Sequence, residues 1–237
     1  MTDEDLLGNV RALRAKGLSP KQIARSLGVR PAAVADLVRT IAAENGAANE
    51  KIECWINADW STGLTVSGHP EWDDPGGDDQ AAGLVSVLVA RKRSHRRLVT
   101  VCVYLLDVYC LGVKNALGPE RLDDDSLRGF TRHTFSCYAR PPISASIELA
   151  RDLVFGAADY ARALGFDPHP DFEAARAHLG PWSGPSSIAF GCDGKPSYVE
   201  GPYDDPEHVV RTLRRAVGRN GFHYTVGVKL SELPMTG

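Results

Sequence analysis

Val103–Asn115 reads VYLLDVYCLGVKN. The run leading into it, LVTVCVYLL over residues 98–106, is apolar and rich in β-branched and aromatic side chains, as a buried strand is. Beyond it Asp107, Cys110 and Lys114 recur at i, i+3 and i+7, a spacing that sets a carboxylate, a thiol and an amine on one helix face. The pattern predicts a helix over roughly Asp107–Leu117 at the end of a buried strand. In that helix the Lys114 ammonium stands one turn from Cys110, and a neighbouring cation favours the thiolate. The plainer alternative is that Cys110 fills the core as a small hydrophobe.

Working outward, Leu84–Ala90 and Leu98–Leu105 read as two strands of a hairpin joined by RKRSHRR. Its tip carries Arg91, Lys92, Arg93, Arg96 and Arg97, which either block edge pairing or meet phosphate. Glu53–Val66 holds two further strands around Ser61-Thr62-Gly63. Residues 68–79, GHPEWDDPGGDD, cluster oxygen donors but match no calcium loop, so a solvated loop is expected. His133 and Cys137 stand i, i+4 on an expected helix, which is metal-ligand spacing, yet no second ligand pair follows, so no metal is expected. Ser144–Leu164 repeats apolar residues every three or four positions and ends at Gly165, which predicts a helix. In FDPHPDF two prolines flank His169, with Asp171 two residues on. That is the pattern of a general base beside a carboxylate, or of a helix start with an acid in its first turn. Ser187–Glu200 reads as a hairpin turning at Asp193-Gly194, with Lys195 beside the turn. Its GKPS is no phosphate loop, because Pro196 stands where a Ser or Thr must follow the lysine. Asp204 or Asp205 then caps a helix with Pro206 at its first position, running to about Val217, and FHYTVGVKL makes a last strand. Two β-β-α runs, the second closed by a strand, predict an α+β domain with an antiparallel or mixed sheet.

Residues 1–44 read differently, as three short helices. Ser19-Pro20-Lys21-Gln22 is a capping box, Gly28 supplies a tight turn, and Pro31 opens the third helix. Helix, glycine turn and helix at this spacing resemble the helix-turn-helix of bacterial regulators. Between residues 10 and 41 seven Lys and Arg face one acid, Asp36. Arg11, Arg14, Lys21, Arg25, Arg30 and Arg39 are the expected phosphate contacts, with Lys16 beside them. The third helix, RPAAVADLVRT, offers few base-reading side chains. The alternative use of the bundle is therefore dimerisation or protein docking, and a homodimer is among the expected assemblies. Residues 45–52 read as a linker and 53–237 as the α+β domain.

The 237 residues are 43% hydrophobic and 24% charged with net charge −3, an ordinary globular balance without a global field for nucleic acid or membrane. No apolar run reaches the roughly 20 residues a membrane span needs. The acidic start MTDEDLLGN has no signal-peptide pattern, so a cytoplasmic protein without membrane partners is expected. Five cysteines (Cys54, Cys102, Cys110, Cys137, Cys192) are scattered without a CxxC pair, which predicts free thiols. No cofactor motif is present.

DVYCLGVKNA (107–116), LVFGAADYARALGFDPHPDF (153–172), IAFGCDGKPSYV (188–199) and GPYDDP (201–206) resemble, in that order, a bacterial family of uncharacterised proteins, some carrying an N-terminal helix-turn-helix. The resemblance spans roughly residues 80–226. It implies a shared domain in which Asp107, Cys110, Gly112, Lys114, Gly165, His169, Asp171, Gly194, Lys195, Gly201, Pro202 and Asp204 matter. It implies no reaction. Ser197 departs from the family pattern, which has an aromatic there.

Three functions fit these residues. The first is a nucleic-acid-associated, regulatory DNA-binding protein whose α+β domain binds a small-molecule ligand or a partner. The second is a cysteine-dependent enzyme for acyl, amide or sulfur chemistry, its candidate catalytic residues Asp107, Cys110, Lys114, His169, Asp171, Lys195 and Asp204. The third is a structural adaptor. The enzyme requires the PHPD loop and the DGK turn to close over Cys110.

Overall fold

The computed structural model describes residues 3–48, 50–72, 83–94 and 96–226. The chain forms two compact units, Met1–Lys51 with Arg93–Arg96, and Ile52–Lys92 with Arg97–Gly237.

The first unit holds three helices, α1 (Asp3–Ala15), α2 (Pro20–Leu27) and α3 (Pro31–Ala48). The Ser19 capping box forms: the Ser19 hydroxyl accepts from the Gln22 backbone amide, and Gln22 Oε1 accepts from the Ser19 backbone amide at 2.8 Å. Gly28 ends α2 in the left-handed region at φ 65°, where a side chain is disfavoured. Val10, Ile23, Ala24, Val34 and Ile41 close the core between the helices. Residues 45–48 continue α3 and β1 starts at Glu50, so helix and strand occupy most of the expected linker. Four alanines at 42, 43, 47 and 48 explain the extension, since alanine is the best helix former.

The second unit is α+β. Its strands and helices run β1 (Glu50–Ile56), β2 (Thr65–Val66), β3 (Leu84–Arg93), β4 (Val99–Asp107), β5 (Gly112–Leu122), α4 (Asp124–Thr134), β6 (Ile143–Ala145), α5 (Ile147–Leu164), α6 (Phe172–Ala175), β7 (Ile188–Ala189), β8 (Ser197–Val199), α7 (Pro206–Val217) and β9 (His223–Thr225). Five strands make one sheet in the order β5-β4-β3-β1-β6. β3 pairs antiparallel with β4, and β4 with β5, from Leu84 opposite Asp107 onward. β2 pairs with β7, and β8 with β9, as two small ribbons.

The sheet is covered by α5 on one face and in part by α4 on the other. Val85, Val87, Val89, Cys102, Tyr104 and Leu106 pack toward Leu149, Leu153, Val154 and Ala157 of α5. Leu88, Ala90, Val99 and Val101 pack toward Leu127 of α4 and Phe135 just after it. Strands buried on both sides read as continuous apolar runs, which is why LVSVLVA shows little alternation. α5 ends as expected, with Gly165 in the left-handed region, but it starts later than Ser144: Ile143–Ala145 form β6, and Ser146 caps the helix by accepting from the Leu149 amide. α7 starts at Pro206 under an Asp205 cap.

Three expectations fail. The segment after Asp107 is a hairpin and not a helix. Asp107 Oδ1 accepts from the amides of Tyr109 and Cys110 at 3.0 and 2.9 Å, so the carboxylate folds the chain into a turn. Gly112 then takes φ 68° and enters β5. A β-carbon there would lie 2.6 Å from the Ala161 methyl of α5, so the strand approaches the helix more closely than any side chain permits. The hairpin expected over residues 187–200 shrinks to one antiparallel bridge, Cys192 opposite Lys195. Asp193 and Gly194 do turn, with φ 49° and 78°, but β7 pairs with β2 and β8 with β9. His133 and Cys137 share no helix, since α4 stops at Thr134. Residues 73–79 of the acidic segment and 227–230 of the last expected strand lie outside the described residues.

Candidate functional site

The β4–β5 turn is where the separated motifs meet. The Gly191 amide donates to Val108 O at 3.0 Å, Ser197 N to Tyr109 O at 3.1 Å, and His169 N to Val113 O at 2.9 Å. These bonds seat the DGK turn and the PHPD loop against the hairpin. Beneath them Lys114 Nζ lies 2.8 and 2.9 Å from the two Asp204 oxygens. Asp204 also accepts from the Gly201 amide at 3.0 Å. A β-carbon on Gly201 would press on both charges, 2.7 Å from Asp204 Oδ2 and 3.2 Å from Lys114 Nζ.

Four of the candidate residues therefore share one cluster, Asp107 and Cys110 buried and the Lys114–Asp204 pair half-buried at its edge. Its chemistry is not that of a nucleophile. Cys110 is fully buried. Burial, then the Asp107 carboxylate, pushes its thiol far above the ordinary range, and Lys114 offsets only part of this. A catalytic cysteine needs the opposite balance. Asp107 is itself pushed up to about 6, chiefly by burial, against the pull of Lys114 and the turn amides. Tyr198, which the sequence reading passes over, completes the cluster. Its hydroxyl is buried without a hydrogen-bond partner among the described residues, and burial, then Asp204, raises it.

The remaining candidates stay outside. The His169 ring is engaged within its own loop: Nδ1 accepts from the Asp171 amide at 3.3 Å and lies 3.6 Å from the exposed Asp171 carboxylate. Lys195 is exposed on the turn. The required convergence occurs in the backbone, but His169 and Lys195 do not bring their side chains to Cys110. The cluster clamps the hairpin to the 201–204 loop.

A different feature is open. A cavity of about 900 Å³ lies on the α4 side of the sheet, where that helix leaves it uncovered. Leu84, Val103, Leu105 and Leu117 form its apolar floor, and Phe130 and Thr134 of α4 its wall. Its polar end holds an Asp59–Arg140 ion pair and a Ser86–Tyr138 hydroxyl contact of 2.8 Å. Buried Asn57 supports that end by accepting from the Ser86 amide at 2.9 Å. His133 and the exposed Cys137 stand on the rim. The sequence reading missed this site. The available signal was Ser86, a lone hydroxyl amid the valines of β3.

Of the expected phosphate contacts, Arg11, Arg14, Lys21, Arg25, Arg30 and Arg39 are all exposed on the first unit. Arg14 donates to Leu18 O at 3.0 Å, and Arg39 pairs with Asp36. In the β3–β4 segment Arg91 donates to His178 O and Leu179 O, and Lys92 pairs with Asp124. Those two cations are structural. Among the described residues no group of three or more His, Cys, Asp or Glu is placed to hold a metal ion, and no helix is long and apolar enough to cross a membrane. No protein-family model, curated protein or solved structure matches the chain.

Proposed function

We propose that this is a regulatory DNA-binding protein, its three-helix unit contacting duplex DNA and its α+β unit holding an apolar small molecule. The observation that carries the DNA reading is the α2–Gly28–α3 arrangement with six basic side chains around it, every one exposed. Helices joined by such a turn place the second helix in the major groove. Exposed cations on both helices meet phosphate. Base reading is sparse: Arg30 just before α3, and Asp36, Arg39 and Thr40 within it, are the polar groups offered, and Arg39 is already paired with Asp36. Affinity then rests mainly on phosphates, with a modest sequence preference. The ligand reading is supported by the cavity, whose volume of about 900 Å³ falls within the range of small-molecule sites.

Fluorescence anisotropy of a labelled mixed-sequence duplex, titrated between 50 and 200 mM salt, tests the first part. Affinity falls steeply with salt, and Arg25→Ala/Arg30→Ala lowers the log–log slope by roughly 1.8, about 0.9 per lost phosphate contact. Salt-independent binding sinks this reading. For the second part, an apolar fluorescent dye brightens on the wild-type chain and not on Leu84→Asp, which puts a charge on the cavity floor. Equal brightening of both chains refutes a ligand site there.

A further inference from the structure

Residues 206–226 carry four arginines (Arg211, Arg214, Arg215 and Arg219) against a single acid, Glu207. All four are exposed, and none has an ionic or hydrogen-bonding partner for its guanidinium among the described residues. This differs from what is seen at three other arginines of the same unit. Arg128, Arg162 and Arg176 each pair with an acid three residues earlier. Arg214 and Arg215 have Arg211 and Thr212 in those positions. Like charges one turn apart weaken a helix. The helix dipole rewards Arg214 and Arg215 in the last turn of α7, but it explains neither Arg211 in mid-helix nor Arg219 beyond the end.

Between the arginines lie aromatic rings. Two adjoining hollows, of about 330 and 470 Å³, share Val210, Arg214 and Tyr224. Arg219 and Phe222 complete the first, Arg211 and Glu207 the second. Tyr224 is 42% exposed, yet it is held still. Its ring stacks on the fully buried Tyr198 at 5.6 Å and 5°, and its hydroxyl donates to Glu200 at 3.3 Å. A flat ring backed by another ring and flanked by unpaired guanidinium groups matches one chemistry, an unstacked base between two phosphates. Duplex DNA hides its base faces, and an acidic peptide leaves the ring without a role.

We propose that α7 and β9 form a single-stranded nucleic-acid contact, with Tyr224 stacking on a base and Arg211, Arg214 and Arg219 holding the adjoining phosphates. This surface is separate from the duplex contact proposed for the three-helix unit and does not depend on it.

The test uses the full chain carrying Arg25→Ala/Arg30→Ala, so that nucleic-acid binding by the first unit is already weakened. Anisotropy of a fluorescein-labelled 12-nucleotide oligothymidylate is followed against salt. Binding persists in this background. Adding Arg214→Ala/Arg219→Ala weakens it at least tenfold and lowers the log–log salt slope by roughly 1.4, about 0.7 per phosphate. Tyr224→Leu weakens binding about tenfold with the slope unchanged, whereas Tyr224→Phe, which keeps the ring, binds as the parent does. Arg214→Lys/Arg219→Lys preserves the slope, which separates lost charge from lost fold. The proposal is overturned by absence of oligothymidylate binding in the parent, by an unchanged slope in the alanine pair, or by polyglutamate competing as well as the oligonucleotide. Loss of duplex binding alone bears on the three-helix unit and leaves this surface standing.

Discussion

Replacing Asp107 by Asn should stabilise the protein at neutral pH, and the gain should disappear in acid. Asp107 is buried and held at about 6, against about 3.9 for an unstructured aspartate. Its folded-state value is raised, so the native state holds the proton more tightly than the unfolded chain. Stability from this group is fully present below the unfolded value and is lost as pH rises through 6. One pKa unit corresponds to about 1.4 kcal/mol. At pH 7.5 the ionised carboxylate therefore costs about 3 kcal/mol relative to a neutral group, and at pH 4.5 only about 1 kcal/mol. Asn keeps the oxygen that accepts from the Tyr109 and Cys110 amides, so the turn survives while the burial cost is removed. Urea unfolding followed by tryptophan fluorescence at several pH values measures the difference directly. Asp107→Asn should exceed wild type by about 2–3 kcal/mol at pH 7.5, narrowing by about 2 kcal/mol at pH 4.5. A difference that does not change with pH, or a variant less stable throughout, would show that Asp107 is not burdened by its burial.

Lys114→Met strands the Asp204 carboxylate and removes the cation nearest Asp107. A loss of about 3 kcal/mol is expected in the same urea assay, most of it restored by Lys114→Met/Asp204→Leu; no restoration would argue against a paired clamp. Gly112→Ala meets both the Ala161 methyl at 2.6 Å and a φ of 68°, and its melting temperature should fall well below that of Gly129→Ala, where nothing stands within 4 Å. Iodoacetamide labelling read by mass spectrometry should reach exposed Cys137 first and leave Cys110 untouched until the chain unfolds. An apolar dye seated in the cavity should slow labelling at Cys137, and rapid labelling of Cys110 in the folded chain would restore the thiolate chemistry that burial argues against.

What the sequence disclosed divides along the range of the interactions involved. Ser19 and Gln22 lie three residues apart, Ser146 and Leu149 likewise, and Asp205 caps α7 within its own first turn. Each is decided locally and each is readable. Lys114 and Asp204 are 90 positions apart, and Ser86 and Tyr138 are 52. Nothing in either neighbourhood announces the other, so neither the clamp nor the cavity could be assembled from spacing. The aromatic platform at Tyr224 depends on Tyr198 behind it, a pairing that only the parallel β8–β9 ribbon creates.

The stretch from Asp107 to Lys114 departs from its expected helix for a more instructive reason. Its spacing satisfies a helix, but Leu105 and Leu106 before it are held in β4 and Gly112 after it turns at φ 68° into β5, which leaves only four residues between the strands. Within a helix the amides of Tyr109 and Cys110 would find their acceptors at Leu105 and Leu106, but both residues are committed to β4 pairing opposite Asn115 and Val113. The two amides, each in a buried residue, need another acceptor, and Asp107 Oδ1 supplies it. The charge costs stability at neutral pH, while the oxygen that carries it caps the turn. Asp107→Leu separates the two effects. It removes the burial cost as Asp107→Asn does but leaves both amides unpaired, at about 1–3 kcal/mol each. The Leu variant should therefore be less stable than the Asn variant by several kcal/mol at every pH, and equal stability of the two would mean that the turn does not need its cap.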